Sequence, residues 1–223
     1  MTSPTITAGG KERVDTASAL YKNAFRNDPV LAYMLGELST EDRHAYLYSY
    51  FQALLTAAGL NDARFLETED WSSVAVIMPP GKRVDNFWTL LPAGLVGMVW
   101  RVGLKGAYRM LGEFGPQTDK MKAKGLKGAK RYYYVFFLAT DEKARGRGLS
   151  SVLIREAQDM GRKEGLPVWL EATTAYSWRL YEHLGFETVD RVMLGKGVAA
   201  ADGTQAKGGE GVPIWGMVWR PEL

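Results

Sequence analysis

The chain has 223 residues, 46% of them hydrophobic, which is enough for one sizeable core and for a single domain over residues 1–223. Its formal net charge is only +3, which mildly favours anionic small molecules; no arginine-rich arm, zinc-finger spacing or aromatic RNA-binding signature is present, so no nucleic-acid partner is expected. The absence of cysteine excludes disulfides, thiolate metal sites and a cysteine nucleophile, and no metal site is expected.

The start, Met1-Thr2-Ser3-Pro4, lacks a basic region leading into an apolar run, so no secretory signal is expected and the protein is placed in the cytoplasm. Ala17, Leu20, Tyr21, Ala24 and Phe25 recur at helical spacing and predict a first helix capped by Asp15 and ending near Asn27. Asp28-Pro29 reads as an N-cap followed by proline at the first helical position. A longer helix is predicted from Ser39 or Thr40, with Leu47, Tyr50, Phe51, Leu54 and Leu55 on its buried stripe and Gly59 as its stop. Two strands follow, near Arg64 to Glu67 and over Ser73 to Met78, the second ended by Pro79-Pro80-Gly81.

The stretch from Phe87 to Phe114 predicts one or two helices with glycine interruptions, the core of a helical insertion at about 85–130. Its uncharged part, Asn86 to Trp100, falls short of the roughly 20 apolar residues of a spanning helix, so no membrane partner is expected. Gly115 to Lys130, rich in lysine, reads as a solvated, mobile loop. Tyr132 to Thr140 reads as a strand, and Leu149, Val152, Leu153, Ala157 and Met160 as a helical stripe ending at Gly165. A strand over Val168 to Ala172, a short helix from Tyr176 to Leu184 and strands over Thr188 to Leu194 and Ile214 to Trp219 complete the chain. The last two strands are joined by a glycine-rich, flexible connection, Gly195 to Gly211. The strand-helix-strand crossover predicts parallel pairing, the last two strands antiparallel pairing, and the whole an α/β (α+β) fold with a central mixed sheet flanked by helices.

Between the strand ending at Thr140 and the next helix lies Arg145-Gly146-Arg147-Gly148-Leu149-Ser150. Glycines at a strand-to-helix turn let main-chain N–H groups converge without Cβ interference, and the helix aims its positive end at the same point. That is a phosphate cradle, with two arginines beside it. The turn resembles the R/Q-x-x-G-x-G/A pattern of the GNAT (Gcn5-related N-acetyltransferase) family, through Arg145, Gly148 and Ser150, the last standing where that pattern has glycine or alanine. Trp178-Arg179-Leu180-Tyr181-Glu182-His183-Leu184-Gly185-Phe186 resembles the family's second signature block. The blocks Ala24 to Pro29, Met78 to Gly81, Trp169 to Thr173 and Trp215 to Pro221 are similar to the puromycin N-acetyltransferase group of microbial enzymes.

The resemblance implies a GNAT fold with a partly splayed sheet and acetyl-CoA as cofactor, CoA leaving as product. It implies that Arg145, Gly146, Arg147, Gly148, Leu149, Ser150 and Ser151 hold the pyrophosphate. The main chain of Leu138, Ala139 and Thr140 would pair the pantetheine and stabilise the oxyanion. Tyr181 would be the general acid for the departing thiolate, with Ser177 one turn earlier on the same helix face and against the cofactor. Glu171 is the first candidate for the general base; Asp141, Glu113 or a water chain are the alternatives, while His183 reads as surface and His44 as a residue without a partner. Phe25, Tyr33, Tyr46, Tyr50, Phe87, Trp88 and Trp100 suggest an aromatic acceptor wall, hence N-acetylation of a small-molecule amine such as a toxin or antibiotic, in detoxification, by a monomer or homodimer. A protein lysine or N-terminal acetyltransferase, and a non-catalytic CoA- or nucleotide-binding module, are the alternative readings.

Overall fold

The computed structural model describes residues 4–84 and 92–222; Phe87 and Trp88 lie outside them. Seven strands form one sheet: β1 (Ile6–Gly9), β2 (Arg64–Thr68), β3 (Ser73–Met78), β4 (Tyr133–Thr140), β5 (Val168–Ala172), β6 (Glu187–Leu194) and β7 (Val212–Trp219). Their order is β1-β2-β3-β4-β5-β7-β6, and every neighbouring pair is antiparallel except β4 with β5. The mixed sheet and both expected pairing directions are therefore present. The short β1 has no expectation behind it, because Thr7, Ala8 and Gly9 carry no strand pattern.

Helices cover both faces. On one side, α1 (Val14–Ala24) and α3 (Thr40–Leu60) bury Tyr21, Phe51 and Leu55 against Phe65, Val74 and Val76. On the other, α6 (Leu149–Glu164) buries Leu153, Ile154 and Ala157 against Ala75, Ile77 and Leu170. β3 is buried along its whole length because both of its faces meet helices, which explains its unbroken apolar run. A third cluster joins α2 (Pro29–Met34) and α5 (Gly115–Leu126) to Trp169, Leu194 and Val218. The remaining helices are α4 (Leu95–Ala107), which continues through a π-helical segment Tyr108–Phe114 into α5, and α7 (Ala175–His183).

Several local expectations are corrected. Asp15 is not the cap of α1: the helix starts one residue earlier, and Asp15 accepts a hydrogen bond of 2.9 Å from Gln52 on α3. Gly59 lies inside α3 rather than ending it. Gly115 to Lys130 is not a loop, since α5 packs Thr118, Met121, Gly125 and Leu126 inward and leaves Lys120 and Lys124 on the outer side. A Cβ on Gly125 would stand 2.5 Å from the Trp169 ring, so the glycine lets the helix lie directly on the sheet. The Gly195 to Gly211 connection is held by main-chain bonds, among them Gly197 N to Gly209 O at 2.7 Å and Gly211 N to Ala199 O at 2.8 Å.

Candidate active site

β4 and β5 pair only at Tyr133 with Val168 and Tyr134 with Trp169, and then part. β4 stays on β3 up to Thr140, with a register shift that skips Phe136, and β5 stays on β7. The sheet is thus open from Val135 onward, the splay that the family resemblance implied. Asp141 N donates to Ser72 O at 2.8 Å, which turns the main-chain groups of Ala139 and Phe137 toward β3. By strand alternation, those of Leu138 and Thr140 face the gap.

At the end of β4 the chain makes a 3₁₀ turn, Glu142–Ala144, capped by Asp141 Oδ1, which accepts from Lys143 N at 2.9 Å. Asp141 is thereby engaged in the turn. Gly146 (φ 78°) and Gly148 (φ 77°) then adopt the left-handed region that favours glycine, and α6 begins without a side-chain cap. A Cβ at either glycine would meet nothing within 4 Å. The uncapped first turn of α6, from Gly148 to Ser151, lines a cavity. Arg145 has no ion pair among the described residues, whereas Arg147 is paired with Glu69. Leu149 is buried and anchors the turn.

A cavity of about 1480 Å³ runs from this turn through the gap in the sheet to the space beneath α1, α3 and α4. Arg145, Gly146, Gly148, Ser150 and Ser151 line one end; Leu138, Ala139, Thr140, Ser177 and Tyr181 line its middle. Phe25, Tyr50, Met98, Val102 and Phe137 form the apolar far end. The expected aromatic wall is only partly there. Tyr33 is turned to Glu113, donating to it at 2.6 Å; Tyr46 lies under Arg101; and Trp100 is 86% exposed.

Tyr181 is buried among core side chains on α7, its ring 5.9 Å from Phe186. Its hydroxyl makes no hydrogen bond among the described residues, and burial pushes its pKa well above that of an ordinary phenol. Ser177 forms a capping box with Thr174: Ser177 N donates to Thr174 Oγ1 at 3.1 Å and Thr174 N donates to Ser177 Oγ at 3.3 Å. That pairing starts α7 beside the cavity and so sets where Tyr181 stands.

Glu171 faces the cavity, but its Oε1 accepts from Trp169 Nε1 at 2.7 Å and lies 3.4 Å from Lys122 Nζ on α5. The Tyr134 phenol is held against the same carboxylate, and its pKa is raised by burial first and by the Glu171 charge second. Glu113 is tied to Tyr33 and to Gly195 N. His183 is exposed, and His44 has a partner after all: its Nδ1 accepts from Arg26 Nε at 3.1 Å.

Asp28 is the cavity residue that the sequence showed only as a cap. Its Oδ1 accepts from Val30 N at 2.9 Å and Leu31 N at 3.0 Å, and its Oδ2 from Thr173 Oγ1 at 2.8 Å. No cation is paired with it among the described residues, and enclosure of the carboxyl raises its pKa above the usual carboxylate value. The described residues hold no cluster of three or more metal-ligating side chains, and none of their helices is long and apolar enough to cross a membrane.

The model of the acetyltransferase (GNAT) family matches residues 81–186. The matched stretch, just under half of the chain, contains the glycine turn, both strands beside the gap and Tyr181. Acetyltransferases of the GNAT family take their acetyl group from acetyl-CoA. The chain is 27% identical over 171 residues to an uncharacterised N-acetyltransferase of Schizosaccharomyces pombe, covering 76% of this chain and 69% of that one. The fold is similar to that of a histone acetyltransferase HPA2-related enzyme of Corynebacterium glutamicum (TM-score 0.65, 18% identity, 100% of this chain and 98% of that one). It is also similar to that of a mosquito arylalkylamine N-acetyltransferase-like protein (TM-score 0.62, 18% identity, 98% and 100%). A polyamine N-acetyltransferase of Drosophila melanogaster gives a TM-score of 0.61 at 15% identity, over 98% and 100% of the two chains.

Proposed function

We propose that the chain is an acetyl-CoA-dependent N-acetyltransferase that acts directly on the primary amine of a small molecule with an apolar or aromatic body. The observation that carries the reading is the continuity of one cavity, from the uncapped amides of α6, through the open sheet, to Asp28 and the apolar far end. Acetyl-CoA, when bound, supplies a thioester whose acetyl group passes to the amine and whose sulfur leaves as thiolate. The amides at Leu149, Ser150 and Ser151 hold its diphosphate, with Arg145 adding charge. The main-chain groups of Leu138 and Thr140 pair its extended arm, and a gap-facing N–H there receives the developing negative charge on the acetyl oxygen.

Asp28 receives the ammonium and takes its proton, because it is the enclosed carboxylate with no cation beside it and its raised pKa suits a base better than an ordinary carboxylate. Glu171, saturated by Trp169, Lys122 and Tyr134, instead sets the cavity wall. Tyr181 protonates the departing thiolate from its unpaired hydroxyl and recovers a proton from the acylated nitrogen as the tetrahedral intermediate collapses to the amide. A polyamine would need further carboxylates for its other charges, and Asp119 and Glu171 of the cavity lining are already paired with Arg83 and Lys122. This favours the arylalkylamine kind of acceptor over the polyamine kind, and the resemblance of four sequence blocks to the puromycin N-acetyltransferase group supports a reading in which toxin or antibiotic amines belong to that class.

Thermal-shift screening with acetyl-CoA, CoA, ATP and NAD, followed by thiol release against aromatic monoamines, polyamines and lysine peptides, tests the proposal. Stabilisation by acetyl-CoA and turnover fastest with aromatic monoamines are expected. Preferential turnover of lysine peptides or polyamines overturns the substrate assignment.

A further inference from the structure

Ser150 stands in the first turn of α6, and its hydroxyl is engaged by the end of β4. Its Oγ is 2.6 Å from Thr140 Oγ1, which is 2.8 Å from Ser73 Oγ; Ser73 in turn donates to the Ala139 carbonyl at 3.0 Å. Each hydroxyl has one proton to donate. Because Ser73 uses its own on a carbonyl, Thr140 must donate to Ser73, and Ser150 must donate to Thr140. The proton order of the chain is therefore fixed, and Ser150 has no proton left for a ligand.

The consequence is mechanical. Between Gly146 and Gly148 the turn has little intrinsic stiffness, and α6 starts without a side-chain cap. Buried Leu149, Leu153 and Ile154 fix where α6 lies on the sheet, but they leave the polar start of the helix untied. The hydroxyl chain supplies that tie, from the first turn of α6 to the end of β4 and the start of β3.

We propose that Ser73 and the Thr140 side chain are positioning residues for the diphosphate: through Ser150 they hold the α6 amides aimed into the cavity and keep the Ser150 hydroxyl out of the cradle. The inference rests on the reading of that turn as the acetyl-CoA diphosphate site. It concerns affinity for the donor, not the chemistry of transfer.

Calorimetric titration of acetyl-CoA and steady-state kinetics on the full chain test it. Thr140→Val keeps the side-chain shape and removes both hydroxyl contacts, so the acetyl-CoA Kd is expected to rise about tenfold, as for loss of one or two hydrogen bonds. For Ser73→Ala the amine KM, and kcat at saturating acetyl-CoA, stay within about twofold of the wild type, and Thr140→Ser restores the affinity lost in Thr140→Val. Ser73→Ala gives a similar loss by itself, and the double variant is no weaker than Thr140→Val, because both break one chain. Ser73→Ala also carries the test if Thr140→Val does not fold. Unchanged acetyl-CoA affinity in a folded Thr140→Val or Ser73→Ala variant, or losses that multiply, overturns the positioning role while leaving the acetyl-CoA site intact. A wild type that shows no acetyl-CoA binding overturns both.

Discussion

Replacing Tyr181 by phenylalanine is expected to separate catalysis from stability. The ring contacts survive, including that with Phe186, and the lost hydroxyl has no protein partner among the described residues. Burying an unpartnered hydroxyl costs about 1–3 kcal/mol, part of which water in the cavity offsets. At roughly 2–4 °C per kcal/mol for a chain of this size, Tyr181→Phe should melt at or a few degrees above the wild-type temperature. The catalytic effect runs the other way. A positioned general acid contributes about 10²–10⁴ to the rate, so kcat should fall by at least two orders of magnitude while the acetyl-CoA Kd hardly moves. Burial holds the Tyr181 pKa well above the ordinary phenol value, so the proton is in place throughout the neutral range and the wild-type rate should show no loss from its ionisation below about pH 10. Thiol release at saturating acetyl-CoA, followed from about pH 6 to 9 beside a melting curve, measures all three quantities. A phenylalanine variant with kcat within about threefold of wild type refutes the assignment. A large drop in melting temperature refutes it too, because the hydroxyl would then be structural.

Four substitutions and one titration extend the argument. Gly148→Ala and Gly146→Ala force a Cβ into left-handed backbone at about 1–2 kcal/mol, and the new methyl faces the open cradle, so a melting temperature lower by a few degrees should accompany a clear loss of acetyl-CoA affinity in a binding titration. Asp28→Asn keeps the Oδ1 acceptor that caps α2, while burial disfavours the native charge; kcat/KM for the amine should fall about a hundredfold with the melting temperature held or raised. The sign follows from linkage: a carboxyl whose folded pKa is raised weakens the native state where it is ionised and stabilises it progressively as the pH falls through that raised value. Glu171→Gln should do the opposite, because it strands Lys122, which is 17% exposed, without its counter-charge, and it should lower the melting temperature markedly, by about 3 kcal/mol or less in stability given that partial exposure. Alkaline unfolding should be steep. Burial, the largest cause in each case, raises the phenols of Tyr21, Tyr50, Tyr134 and Tyr181, and those of Tyr33 and Tyr133 to about 12, so these groups favour the folded state until the unfolded chain ionises near pH 10, and melting temperatures measured across that pH should fall sharply.

What could be read in advance follows the range of the interactions involved. The turn at Gly146 and Gly148 was legible because its requirement is local: a positive φ at each position, which the residue type itself declares. Asp28-Pro29 and Ser39 announced the starts of α2 and α3 for the same reason, since the cap bonds span only two or three residues. α5 was illegible because its polar face outweighs its buried one. Met121 and Gly125, one turn apart, are the contact, and a glycine chosen for closeness to Trp169 looks in the sequence like a break. Trp100 misled in the other direction: an indole counted toward the acceptor wall stands in solvent on α4.

The acceptor end of the site was the least legible part, and the reason is physical. Asp28 meets Thr173 across 145 positions of sequence, and Glu171 meets Lys122 from a helix that had been read as a loop. Two carboxylates that look interchangeable as residue types are made different only by these distant partners. Lys122, Trp169 and Tyr134 take up the charge and lone pairs of Glu171, whereas Asp28 has hydrogen-bond donors and no cation. Burial then acts on the uncompensated one and raises its proton affinity. The choice of base is therefore a property of the folded cavity, set by whether α5 reaches β5. Moving the cation should move the role: Lys122→Met, which keeps an aliphatic stem beside the Tyr134 ring, releases Glu171 from its counter-charge and should raise the residual activity of Asp28→Asn, measured as amine kcat/KM in the double variant. If Asp28→Asn/Lys122→Met is no more active than Asp28→Asn alone, the ion pair is not what keeps Glu171 out of the proton transfer.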